Sequence, residues 1–226
     1  MKHIAIVLSL ALVGFVVREA SGEAKVLTPV GSSDRIRYEE FGPAAAEGCV
    51  VVLHGASGPT PEPYGEQARF FGKQGFRALM PSYYDATRTR SPTTENYAAW
   101  AKVAAEFVAL CREGGAKRVF LVGYSLGASV ALAAGSQGVA VDAIADMYGS
   151  LPDDFFHSMK AMPPLIILHG EGDSNIPIVN ARQLVKLCEL RRLQCEHHFY
   201  PDQGHGFDVK AMEDADARVL AFFAGV

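Results

Sequence analysis

Ser125 stands in Gly123-Tyr124-Ser125-Leu126-Gly127, directly after the apolar run Val119 to Val122 and directly before a small-residue stretch, Leu126 to Ser136. Strand, sharp turn and helix around a G-x-S-x-G pattern lift a serine hydroxyl clear of the sheet, where it can act as a nucleophile. The flanking residues must be glycines, because the chain would otherwise collide with itself in so tight a turn. The helix that follows aims free N–H groups and the positive end of its dipole at a developing oxyanion. A serine hydroxyl needs a base, and the base needs an orienting acid. His205 lies between Gly204 and Gly206 in a loop after the last apolar strand, where flanking glycines let an imidazole reach inward. Asp173, in Leu168-His169-Gly170-Glu171-Gly172-Asp173, follows another apolar strand and can accept the imidazole N–H. The set Ser125, Asp173, His205 is equipped for acyl transfer through a covalent intermediate.

Other side chains compete for these roles. Glu171 is a second carboxylate beside Asp173, read as a solvated loop charge, and Asp202 is read as a turn former near His205. His54 precedes Gly55-Ala56-Ser57-Gly58 and is read as shaping that loop rather than acting as a base. The same loop is placed to supply one oxyanion N–H, from Ala56, with the other from Leu126. His169 is read as structural and His157 as isolated. His197 and His198 are adjacent in a strand, so they point to opposite faces and cannot share a metal. No H-E-x-x-H, paired C-x-x-C or Walker-type loop occurs, so no metal or other cofactor is expected. Tyr83, Tyr84 and Arg88 follow a strand on the site's side of the sheet and are expected to line the substrate pocket, with Arg88 or Arg90 meeting a substrate carboxylate. Tyr97 and Trp100, three apart on a helix, read as packing.

The elements that must hold these groups alternate along the chain. Apolar runs at 26–30, 36–41, 49–53, 76–80, 118–122, 141–147, 165–169 and 195–200 read as strands. Helical spacing covers 64–74, 97–112, 126–136, 178–190 and 209–223, with Gly75 and Gly114 as stops. Gly31 to Asp34 is a turn signal, and Ser82 to Glu95 the longest expected loop. Strands that are apolar without alternation are buried on both faces. The pattern therefore predicts an α/β protein, a mostly parallel central sheet with helices on both faces.

The chain of 226 residues has 21 basic and 25 acidic side chains, a net charge of −4 and no polybasic run. That argues against a nucleic-acid partner. Residues 1–22 combine Lys2, an uncharged run from Ile4 to Val17, and small residues at Ala20 and Gly22, the marks of an export signal cleaved after Gly22. A single domain over 23–226 is expected to follow, periplasmic or secreted, monomeric and without stable membrane insertion. Export makes Cys49, Cys111, Cys188 and Cys195 candidates for oxidation. Cys188 and Cys195 are close enough in sequence to bridge; the other reading is four buried thiols.

The order Ser, Asp, His is that of the α/β-hydrolases. The chain resembles that superfamily and, within it, the dienelactone hydrolase family, from about Cys49 to the C-terminus. The carriers are H-G-A-S-G at 54–58, A-L-M-P-S-Y-Y-D at 78–85, G-Y-S-L-G at 123–127, L-H-G-E-G-D at 168–173 and G-H-G-F at 204–207. The resemblance implies an α/β-hydrolase fold without a large cap domain. The family's own dienelactone hydrolases use a cysteine nucleophile and a glutamate after the third strand; here Ser125 and His54 stand there. A serine hydrolase of small-molecule carboxylic esters is the implied activity. A peptidase or amidase, an acyltransferase and a non-catalytic binding module remain as alternatives.

Overall fold

The computed structural model describes residues 23–29 and 34–226. The export signal read at 1–22 and most of the turn read at Gly31 to Asp34 lie outside the described residues. Eight strands, β1 (Glu23–Leu27), β2 (Ile36–Phe41), β3 (Gly48–Leu53), β4 (Arg77–Pro81), β5 (Arg118–Tyr124), β6 (Ala143–Met147), β7 (Leu165–Gly170) and β8 (Cys195–Tyr200), form one sheet in the order β1-β2-β4-β3-β5-β6-β7-β8. The β1–β2 and β2–β4 pairs are antiparallel. From β4 to β8 every pair is parallel, as continuous apolar strands separated by helices require.

Six α-helices among the described residues cover the sheet: α1 (Glu66–Lys73), α2 (Thr94–Glu113), α3 (Leu126–Ser136), α4 (Asp153–His157), α5 (Val179–Arg191) and α6 (Val209–Gly225). Two side-chain caps set helix starts that periodicity alone misplaces or leaves bare. The Thr93 hydroxyl accepts from Asn96 N, so α2 starts three residues before the apolar pattern does; Asp208 accepts from Ala211 N at the head of α6. Helices α2, α3 and α5 pack on one face, with Val51, Leu53, Leu121 and Ile167. Helices α1 and α6 pack on the other, with Val50, Val52, Phe120 and Val122. Strand β3 thus sends alternate side chains into two cores, which is why it reads as an unbroken apolar run.

The four cysteines form two disulfides, Cys49–Cys111 and Cys188–Cys195. The first fastens α2 to β3 across 62 residues. That pairing is not visible in sequence, because it depends on how the helix lies across the strand.

Candidate active site

Parallel register brings the C-terminal ends of β3, β5, β6 and β7 to one edge, and the loops that leave it carry the candidate residues. Leu53 lies opposite Gly123, so the loop with Ala56 and the turn with Ser125 emerge side by side. Ser125 has φ 54° and ψ −120°, a conformation that non-glycine residues rarely hold. The two glycines around it have no room for a side chain. A Cβ on Gly123 would sit 2.4 Å from the Gly127 carbonyl oxygen, and one on Gly127 would sit 2.1 Å from the Leu53 carbonyl oxygen. The turn is therefore wedged between its own helix and the end of β3.

Ser125, Asp173 and His205 come from three separate loops and meet. Ser125 Oγ lies 2.7 Å from His205 Nε2, and His205 Nδ1 lies 2.8 Å from Asp173 Oδ2. A carboxylate only accepts, so Nδ1 carries the imidazole proton and Nε2 is left to accept from the serine hydroxyl. Asp173 is buried, and its Oδ1 accepts from Asn175 N at 2.8 Å and Ile176 N at 2.9 Å. His169 is buried behind it, with Nε2 2.8 Å from the Ile176 carbonyl and 3.3 Å from Asp173 Oδ2. Burial holds the His169 pKa below the usual histidine value, so it is a neutral donor that helps fix the acid's loop. Glu171 instead pairs with Arg182 at the surface, and Asp202 makes a turn.

The N–H groups of Leu126 and Ala56 make no backbone hydrogen bond among the described residues, while Ser125 N is already committed to the Met147 carbonyl at 2.9 Å. Leu126 is the first residue of α3, where no intrahelical acceptor exists. Two tyrosines brace the loop that carries Ala56. Tyr83 Oη donates to the His54 carbonyl at 2.7 Å, and Tyr84 Oη donates to the Ala56 carbonyl at 3.2 Å. The Tyr83 ring also stacks on His54 at 4.0 Å. His54 is buried and its pKa falls to about 4 by desolvation; Nδ1 donates to the Gly55 carbonyl at 2.8 Å. It shapes the loop and is not a base.

This corrects one expectation. Tyr83 does not line a substrate pocket, because a short 3-10 turn, Tyr83–Ala86, carries its ring into the core, where it is wholly buried. Tyr84 is also mostly buried and shows one edge to a cleft of about 520 Å³. Pro59, Arg35, Arg37, Arg88 and Arg90 line the same cleft. Asp85 binds Arg37 there through both oxygens, and the Arg90 guanidinium sits 5.7 Å from the Tyr84 ring centroid. None of Ser125, Asp173 and His205 lines that cleft; Pro59 joins it to the loop of Ala56.

Two buried carboxyls flank β5, and reading the sequence misses both. Asp146 is the penultimate residue of β6, on the α3 side. Asp216, on α6, shares Gln67 with the Tyr124 hydroxyl. Burial pushes each up to about 7. An aspartate inside the apolar run Ala143 to Met147 is the available signal for the first. A raised folded-state pKa means that the folded chain holds protons the unfolded chain has lost, so stability falls as pH rises through 7. Below about pH 6.5 the depressed histidines His54 and His169 work in the opposite sense. Between pH 6.5 and 8 each carboxyl lowers stability by about 0.8 kcal/mol while His54 returns about 0.4 kcal/mol as its unfolded imidazole finishes losing its proton, so Tm should drop by roughly 2–4 °C. Thermal melts of the wild type and Asp216→Asn check this: the variant should lose more than half of the slope.

A model of the dienelactone hydrolase family matches residues 39–223. No curated protein matches the chain. Among solved structures, Thermogutta terrifontis esterase 2 phosphorylated by paraoxon aligns with a TM-score of 0.73 at 17% identity, over 90% of this chain and 94% of that one. A Pyrococcus furiosus esterase aligns with a TM-score of 0.73 at 14% identity, over 91% and 92%. A dienelactone hydrolase-like promiscuous phosphotriesterase from metagenomic libraries gives 0.72 at 16%, over 90% and 98%. At these identities the likeness is one of fold, and the fold is that of the α/β-hydrolases.

Proposed function

Because the chain belongs to the dienelactone hydrolase family, we propose that it hydrolyses carboxylic esters of small molecules through an acyl-enzyme on Ser125. The observation that carries this is the unbroken hydrogen-bonded line from Ser125 Oγ through His205 to Asp173. Ser125 Oγ attacks the ester carbonyl carbon as its proton passes to His205 Nε2, and Asp173 stabilises the imidazolium. The amides of Leu126 and Ala56 hold the oxyanion, each contributing about 3 kcal/mol to the barrier reduction. The tetrahedral adduct collapses, the C–O bond breaks, and His205 returns the proton to the leaving alcohol. Water repeats the sequence in reverse and frees the acid. Every group comes from one chain, which supports a monomer as the working unit. The esterases among the structural neighbours support the same chemistry.

Fluorophosphonate labelling with the adduct mapped by mass spectrometry tests the reading. Label on Ser125 together with turnover of a p-nitrophenyl ester is expected; folded protein that takes no label would overturn it. The arginine-lined cleft supports a substrate with an anionic group, held by Arg88 or Arg90. Arg88→Ala should raise KM for a carboxylate-bearing ester about tenfold relative to its neutral analogue, since a charge-assisted contact is worth roughly 1.5 kcal/mol. An unchanged ratio of kcat/KM for the two esters would remove Arg88 from that role.

Export is part of the proposal, with residues 1–22 as the signal. Two disulfides and no free cysteine among the described residues support an oxidising compartment. N-terminal sequencing of protein recovered outside the cytoplasm should begin at Glu23. An intact residue 1 and four reduced thiols would refute it. No helix among the described residues is long and apolar enough to cross a membrane.

A further inference from the structure

The end of β6 holds a carboxyl that the reaction does not use. Asp146 is wholly buried at the C-terminal end of β6, opposite Gly123 in register. Ile144 and Ile167 lie on the same face of the sheet, and α3, which covers it, has no charged residue. Burial without a cation is costly for an aspartate, and apolar residues are what such a strand position normally takes. One contact accounts for it: Oδ1 accepts from Gly149 N at 2.8 Å, while Oδ2 has no partner.

That bond closes a turn around Met147 and Tyr148, and both touch the reacting pair. The Met147 carbonyl accepts the amide of Ser125 at 2.9 Å. Tyr148 is held at φ 50°, with its amide on the Leu168 carbonyl at 2.8 Å. This strained backbone turns the Tyr148 ring onto the imidazole of His205, edge to face at 5.3 Å, and onto Phe207 at 5.0 Å. Gly149 is pressed against the first turn of α3, where a Cβ would stand 2.5 Å from that of Ala128. The next amide, Ser150 N, is taken by Ser129 Oγ at 3.2 Å. Tyr148 cannot keep a left-handed conformation unless its neighbours hold it there, and the acceptor that closes its turn is Asp146.

We propose that Asp146 is a positioning residue for the serine–histidine pair, seating Ser125 through Met147 and the His205 ring through Tyr148. The proposal rests on the hydrolase reading above. Displacement of a catalytic group by a fraction of an ångström slows chemistry more than binding. Asp146→Ala should therefore lower kcat about 10- to 100-fold with KM within about twofold. Asp146→Asn keeps an oxygen for Gly149 N and should recover activity to within about threefold. The double variant Asp146→Ala/Tyr148→Ala should lose less than the product of the two single losses, because the two share the route through Tyr148.

A readout free of turnover separates this from the hydrolase reading. The His205 imidazole resonances feel the Tyr148 ring; they should move in Asp146→Ala and stay in Asp146→Asn. A lower Tm in Asp146→Ala with unchanged kcat and unchanged His205 resonances would overturn the proposal and leave a structural carboxyl. If Asp146→Ala does not fold, Tyr148→Ala decides: unchanged kcat there overturns it as well. A wild type with the expected His205 spectrum but no label on Ser125 would instead defeat the hydrolase reading.

Discussion

Replacing His205 with alanine is expected to lower kcat for ester hydrolysis by about a million-fold, the order found when the base of a serine triad is removed. The reason lies in the geometry around Ser125 Oγ. The imidazole Nε2 at 2.7 Å is its hydrogen-bond partner, and no other base bonds to it among the described residues. Without that partner the hydroxyl keeps its proton at neutral pH and attacks as an alcohol. Oxyanion stabilisation by the amides of Leu126 and Ala56 would survive, leaving a residual rate above that of free water. The fold should barely notice. The His205 side chain is 20% exposed, so truncation opens a solvated notch rather than a sealed cavity. Steady-state rates with a p-nitrophenyl ester, the rate of fluorophosphonate labelling and a thermal melt measure the three parts. A loss below about a hundred-fold with native Tm would mean that another group takes the serine proton.

Asp173→Asn should cost about ten-thousand-fold in kcat with little loss of stability. The two oxygens of Asp173 have different jobs. Oδ1 accepts two backbone amides of its own loop, Asn175 and Ile176; Oδ2 faces His205 Nδ1. An asparagine must keep its carbonyl oxygen on the two amides or leave both unpaired. Its NH2 group then takes the Oδ2 position and donates toward His205. The imidazole can accept that bond only in the tautomer with the proton on Nε2, where it can no longer accept from Ser125. The NH2 group would also face the Nε2–H of His169, donor against donor. Asp173→Ala should show the contrast, with a similar kinetic loss and a clearly lower Tm, because the loop amides lose their acceptor. Nearly equal kcat in Asp173→Asn and the wild type would show that the acid does no more than pack.

The serine turn is legible from the amino-acid order alone because every level agrees there. An apolar strand, two glycines that nothing else can replace and a helix of small residues all demand the same sharp bend. The parallel sheet is legible for the same reason: strands buried on both faces cannot alternate. Residues whose role depends on which way a ring turns are not legible. Tyr83 and Tyr84 follow a strand on the correct side of the sheet, yet the 3-10 turn sends them beneath the Ala56 loop, where they brace it. Asp146 and Tyr148 act through a backbone turn whose left-handed residue leaves no mark in the letters. The His169 position near the acid is set by the loop folding back on its own strand, which spacing alone does not show.

The Cys49–Cys111 bridge reaches beyond the native contacts of β3 and α2. It closes a segment that contains the Ala56 loop, both bracing tyrosines and the cleft arginines Arg88 and Arg90. In the unfolded oxidised chain these residues are confined to one ring of 62 residues, which deprives the denatured ensemble of entropy equivalent to about 4 kcal/mol at 25 °C. The Cys188–Cys195 ring, with a separation of 7, removes only about 2 kcal/mol. Reduction therefore gives most freedom back to the segment between Cys49 and Cys111, which holds Ala56, one of the two amides proposed to bind the oxyanion, but none of the three residues Ser125, Asp173 and His205.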